Sequence, residues 1–140
     1  SFSGGFGIRD IVFNPTDATE AWVMSYADAV HHTTDGGTTW TSLGAVAGCD
    51  GYSGLALDPD TDGVLYLAVT GCQHGGTGVY KSTDGGATWV NSASSGVPEF
   101  ACSLLLDERD PATLYAGTEG GVYSRTLSMV PVELQSFMVE

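Results

Sequence analysis

The stretch Thr-Thr-Asp-Gly-Gly-Thr-Thr-Trp at 33–40 returns as Ser-Thr-Asp-Gly-Gly-Ala-Thr-Trp at 82–89, an offset of 49 residues. A period of this size marks stacked copies of one small supersecondary unit, which cannot bury its apolar face alone. The rest of the unit recurs as well. Phe13-Asn14-Pro15 is matched by Leu57-Asp58-Pro59 and by Leu106-Asp107 ahead of Pro111. A strand-like run follows each: Ala21–Met24, Val64–Leu67 and Leu114–Ala116. Then comes Val30-His31, Val79-Tyr80 or Val122-Tyr123. The third copy stops before its Asp-Gly-Gly. The chain therefore divides into two full units and one truncated unit, at about 1–46, 47–97 and 98–128, with 129–140 left over.

Each unit reads as short strands joined by tight turns. In the second they are expected near 53–57, 64–70, 77–82 and 88–91. Val64 to Val69 is almost continuously apolar rather than alternating, the pattern of a strand buried on both faces. No stretch sustains a 3.6-residue period, and the 20 glycines interrupt most windows. A hydrophobic content of 42% is enough to build a core. The fold class read from these features is all-β.

The pattern Ser/Thr-x-Asp-x-Gly-x-Thr-Trp resembles the Asp-box, or bacterial neuraminidase repeat. That repeat occurs in the β-propellers of sialidases, xyloglucan-active glycoside hydrolases, sortilin-type receptors and photosystem II assembly factors. The resemblance covers roughly 8–126 and implies propeller-type blades of four antiparallel strands, two complete and one truncated. It also implies that the box residues are structural and lie away from any active site. These are Thr33, Asp35, Gly37, Thr39 and Trp40, with Ser82, Asp84, Gly86, Thr88 and Trp89 in the second copy. The chemistry agrees: glycine accepts positive φ, aspartate accepts hydrogen bonds from turn amides, and tryptophan supplies a large apolar plate. Val130-Pro131-Val132-Glu133-Leu134-Gln135-Ser136-Phe137 resembles the segment that opens a sandwich-type domain in large secreted bacterial proteins. It is expected to lead to, or be exchanged with, another domain or subunit.

Asp58-Pro59-Asp60-Thr61-Asp62-Gly63 matches the first half of a calcium loop, with carboxylates at Asp58, Asp60 and Asp62 and a glycine for the turn. The position that should carry the bidentate glutamate is Val69, so an acidic inter-strand turn is the competing reading. Calcium is the one cofactor the pattern admits. Cys49 and Cys72 flank two strands expected to be antiparallel neighbours, so a disulfide between them is reasonable and would place the protein outside the cytosol. The alternative is three reduced cysteines, with Cys102 a buried small hydrophobe. His31 and His32 are adjacent on a strand and point to opposite faces. His74 lies in a glycine-rich loop, and no metal site is expected from the histidines.

With 17 acidic and 4 basic residues, the net charge of −13 opposes binding to nucleic acid or to anionic lipid. No apolar run approaches the ~18 residues of a membrane span. Arg9, Arg109 and Arg125 match the number of arginines in a sialidase site, but their settings do not fit one, and no opposed carboxylate pair is visible. The chain begins at Ser1 without a Met and holds fewer than three blades, whereas a ring needs four to eight. It is therefore expected to be part of something longer or to associate with itself. The functional expectation is a non-catalytic, extracellular or cell-surface module of a secreted bacterial protein, acting in structure or binding and self-assembling through open edges and the C-terminal strand. The alternative is a fragment of a secreted glycoside hydrolase whose catalytic residues lie elsewhere. A carbohydrate-binding surface would use Tyr26, Tyr52 or Phe100, and the competing reading for each of these aromatics is core or inter-blade packing.

Overall fold

The structure is a computed structural model, and it describes residues 7–26, 30–72, 78–92, 101–107, 109 and 113–126. Within them are three antiparallel sheets and no helix. The first runs β1 (Ile8–Phe13), β2 (Ala21–Ser25), β3 (Val30–Thr33) and β4 (Thr41–Ser42). The second repeats it with β5 (Cys49–Leu57), β6 (Leu65–Cys72), β7 (Gly78–Ser82) and β8 (Val90–Asn91). The third has β9 (Ala101–Asp107), β10 (Thr113–Thr118) and β11 (Gly121–Thr126). Every sheet is a meander in which sequence neighbours pair. That connectivity follows from short turns, since only antiparallel strands can be joined without a long crossover.

The second sheet lies between the other two. Leu65, Leu67 and Val69 of β6 point to the first sheet and join Trp22, Met24 and Val30 in one core. Tyr66 and Ala68 point the other way, into a second core with Leu114, Ala116 and Ala101. Val64 to Val69 is buried throughout, which accounts for its unbroken apolar run. The two cores differ in side-chain size. Aromatic and leucine side chains fill much of the first, whereas four alanines contribute to the second. At Gly54 a Cβ would stand 2.6 Å from the Leu104 amide nitrogen, so β5 and β9 touch through a position that tolerates only hydrogen.

β5 starts at Cys49, four residues earlier than the alternation suggested. Its first half slips register at Cys49/Gly51, Gly51/Tyr52 and Tyr52/Gly54, and those bulges erase the period-2 signal. A disulfide joins Cys49 to Cys72 across the paired ends of β5 and β6. Cys102 is exposed rather than buried, and it is the extra residue where β9 slips register between Ala101 and Ser103 against β10.

Two substitutions separate the two cores. Leu67→Ala should lower the unfolding free energy by about 2–5 kcal/mol through the cavity it leaves. Gly54→Ala should cost about 1–3 kcal/mol by forcing β5 and β9 apart. Urea titration followed by near-UV circular dichroism measures both. A Gly54→Ala variant with an unshifted midpoint would show that the second and third sheets are not held at this spacing.

Candidate functional site

The two Asp-Gly-Gly turns are nearly identical in their bonds. Asp35 Oδ1 accepts from the Thr39 amide at 2.8 Å, and Oδ2 accepts from the Thr39 hydroxyl at 2.6 Å. The Thr33 hydroxyl donates to Asp35 Oδ1 at 2.8 Å and accepts from the Gly37 amide at 3.0 Å. Asp84, Thr88, Ser82 and Gly86 repeat this set at 2.8, 2.6, 2.8 and 2.8 Å. Bonds from Thr39 hold the Asp35 carboxyl down at about 2, and bonds from Thr88 do the same for Asp84. Each turn is tied to the first turn of its own sheet, Gly36 N to Thr19 O and Gly85 N to Gly63 O, both at 2.9 Å.

The tryptophans connect sheets. Trp22 of β2 donates its indole N–H to Gly85 O in the second sheet's turn at 3.0 Å. Trp89 donates to Gly44 O, in the link from the first sheet, at 3.0 Å. Trp40, with no sheet before it among the described residues, donates to its own Gly37 O at 3.1 Å. Asp10 provides a further tie that sequence reasoning missed. Its Oδ2 accepts from the Leu55 amide at 2.9 Å, and Oδ1 accepts from its own neighbour Ile11 at 2.9 Å.

The turns after β1, β5 and β9 lie at equivalent places and carry the acidic residues. In each, the first polar side chain folds back onto turn amides. Asn14 Oδ1 accepts from Thr16 N at 2.8 Å, Asp58 Oδ1 from Asp60 N at 3.0 Å, and Asp107 Oδ1 from Arg109 N at 3.1 Å. This is the Asx turn that such residues favour. In the loop read as a calcium candidate, Asp58, Asp60 and Asp62 lie along the turn after β5. Asp58 is engaged with the Asp60 and Thr61 amides. Val69, at the glutamate position, is fully buried in β6. Among the described residues no group of three or more His, Cys, Asp or Glu side chains comes together as a metal site. A cleft of about 210 Å³ between Asn14–Thr16 and Asp58–Asp62 is bounded by these turns.

A cleft of about 290 Å³ crosses the first strands of all three sheets, with Asp10, Phe13, Leu57 and Leu105 in its lining. Beside the first turn, Glu20 Oε1 meets His32 Nε2 at 2.8 Å, and Glu20 Oε2 accepts from Asn14 Nδ2. His32 also stacks on Trp22, ring centroids 4.7 Å apart. His31 is buried on the opposite face.

The arginines go to separate partners. Arg9 lies over the Tyr26 ring at 5.0 Å, and Arg109 pairs with Asp107, whose carboxyl it holds down at about 2. Arg125 lies on β11. Of the aromatics read as a sugar surface, Tyr52 is buried, with its hydroxyl donating to Cys49 O, while Tyr26 remains 44% exposed. Phe100, His74 and the segment 129–140 lie outside the described residues.

Three meandering sheets packed face to face, each offering its first strand to a shared inner cleft, have a clear architectural parallel among solved structures. The GH74 enzyme of Niastella koreensis superposes with a TM-score of 0.67 at 21% identity, over 86% of this chain and 21% of that one. An ancestral GH74 enzyme gives 0.60 at 21% identity, over 84% and 17%. YCF48 bound to D1 peptide gives 0.55 at 16%, over 88% and 37%. These neighbours are β-propeller proteins. The sheets are propeller blades. The chain spans about a fifth of the length of the two GH74 enzymes and under two fifths of YCF48. No family model matches the chain, and no curated protein does.

The blade turns set an acid limit. Asp35, Asp84 and Asp107 have folded-state values of about 2, against an ordinary 3.8. As pH falls below 3.8 the unfolded chain takes up protons first, so stability present at neutral pH is lost progressively towards pH 2. The melting temperature should therefore fall between about pH 4 and pH 2. An Asp35→Ala, Asp84→Ala double variant should melt lower at neutral pH and show a shallower acid limb. An unchanged limb in that variant would remove these two carboxylates as its cause.

Proposed function

We propose that this chain is a scaffold segment of an Asp-box propeller, serving a secreted, carbohydrate-associated bacterial protein without carrying catalysis itself. One observation carries the reading. The carboxylates at the heart of both repeat motifs have their oxygens taken by turn donors and are held ionised far below neutral pH. A general acid at pH 7 needs a raised value and a free proton. A carboxylate saturated by its own turn supplies neither. The disulfide between Cys49 and Cys72 supports an oxidising compartment, hence an extracellular or surface location.

A second reading is that the chain is part of a glycoside hydrolase whose catalytic residues lie outside it. The likeness to two GH74 enzymes favours it at the level of fold. The two readings agree about this chain and differ about the protein around it. Incubating the purified chain with xyloglucan, mixed-linkage glucan and a sialoside should release no reducing sugar or sialic acid above buffer. Hydrolysis that persists through purification and disappears in an Asp60→Asn variant would overturn the scaffold reading.

A further inference from the structure

The hairpin of β5 and β6 is closed at both ends, by the turn at 58–64 and by the Cys49–Cys72 disulfide, but the two ends do not share one register. From the turn, Leu57 faces Leu65, Ala56 faces Tyr66, Leu55 faces Leu67 and Gly54 faces Ala68 without interruption. Continued regularly, that ladder would set Tyr52 opposite Thr70 and Asp50 opposite Cys72, so the two cysteines would not meet. Instead Tyr52 faces Val69 and Cys49 faces Cys72, with Gly51 and Gly71 in step between them. The disulfide is therefore one residue out of step with the turn. Ser53 and Asp50 are the extra residues on β5, and Thr70 is the extra residue on β6.

The displacement decides which side chain enters which core. Side chains alternate along a strand, so Leu57 and Leu55 in the first core would be followed there by Ser53, with Tyr52 turned towards the third sheet. The bulge at Ser53 reverses this. Ser53 donates its hydroxyl to Ala101 O of β9 at 2.6 Å, and Tyr52 is buried in the first core. There its hydroxyl accepts from Val46 N at 3.2 Å and donates to Cys49 O at 3.1 Å, which fastens the link between the first two sheets. The other half of β5 has anchors of its own. The Leu55 amide is held by Asp10, Gly54 abuts Leu104, and Asp58 N donates to Val64 O at 2.9 Å.

We propose that the Cys49–Cys72 disulfide is a redox-sensitive register lock: it holds residues 49–53 one step out of the ladder that the rest of the hairpin sets, and its reduction lets them fall back into step. A dithiol is the reductant. It supplies two electrons and two protons, the Sγ–Sγ bond breaks, Cys49 and Cys72 become thiols, and the dithiol leaves as its own disulfide. Both cysteines are only partly buried, at the end of the hairpin, where a small dithiol reaches them. A one-residue slip sends a side chain to the opposite face. The return to step therefore takes Tyr52 out of the first core and releases Val46 N. The junction of the first two sheets loosens there, while Leu55, Leu57, Leu65 and Leu67 stay packed. The lock is independent of whether the chain serves as a scaffold.

Nuclear magnetic resonance on the full chain carrying Cys102→Ser, which leaves only the bonded pair of cysteines, reads the register directly. In the oxidised protein, cross-strand contacts should link the backbones of Tyr52 and Val69. Excess dithiol should replace them with contacts between Tyr52 and Thr70. Amide protection should be lost over 49–53 and kept at Leu55, Leu57, Leu65 and Leu67. A Cys49→Ser, Cys72→Ser variant should match the reduced protein without any reductant. Retention of the Tyr52–Val69 contacts in that variant would show that the bulges hold themselves, and overturns the lock. A frayed end with no contact to Thr70 overturns the return to step. Loss of protection through the whole hairpin overturns the lock as well, because the disulfide would then staple the fold rather than set one register. Each of these results leaves the scaffold reading standing, since that reading falls only to glycan hydrolysis by the chain.

Discussion

Everything in this structure depends on β6 being buried on both faces. A strand with Leu65, Leu67 and Val69 on one side and Tyr66 and Ala68 on the other cannot be satisfied by a single sheet. It requires a layer on each side, and the repeated sequence provides both. The two cores differ in their side chains, with Trp22, Met24 and Tyr52 in the first and Ala56, Ala68, Ala101 and Ala116 in the second. Backbones meet closely at both interfaces, at Gly44 against Ala87 and at Gly54 where β5 meets β9, and no side chain fits at either glycine.

The acidic residues are arranged so that their charge costs little. Most of those among the described residues sit on turns, and several have their negative charge stabilised by amides and hydroxyls from the same turn. A buried carboxylate would need a cation, and this chain has only 4 basic residues. Turn amides take the place of those cations. The exceptions are instructive. Asp10 spends one oxygen on the next blade's backbone, and Glu20 bridges Asn14 and His32 within its own blade.

Much of the fold was legible because the repeat reports itself. The offset of 49 residues placed corresponding strands in the first two blades, and the apolar run at Val64–Val69 announced a doubly buried strand. The start of β5 was not legible, because bulges over Cys49–Gly54 break the alternation that strand reading relies on. For the same reason Tyr52 was open to a surface or a core reading; it is in the core, where its hydroxyl accepts from Val46 N and donates to Cys49 O. The role of Asp10 left no local trace. Its partner, the Leu55 amide, lies 45 residues away, and a backbone amide carries no sequence signature. Asp58, Asp60 and Asp62 are legible in two ways. Alternate carboxylates followed by glycine satisfy an Asx turn as well as a calcium loop, and Val69 stands where a calcium loop wants its glutamate.

The tryptophans of the two motifs carry this one step further. Trp40 and Trp89 occupy identical places in nearly identical turns, yet one indole bonds its own loop at Gly37 and the other bonds the preceding blade at Gly44. The motif therefore fixes the turn, through Asp, Thr and Gly, but leaves the indole N–H to whatever neighbour is present. A buried donor must find an acceptor, and a carbonyl of its own turn serves when no adjacent blade offers one. The same logic governs the Ile11 amide, which closes on Asp10 where Leu55 and Leu104 face a preceding strand. Comparing copies of a repeat within one chain thus separates what builds a blade from what joins it to the next.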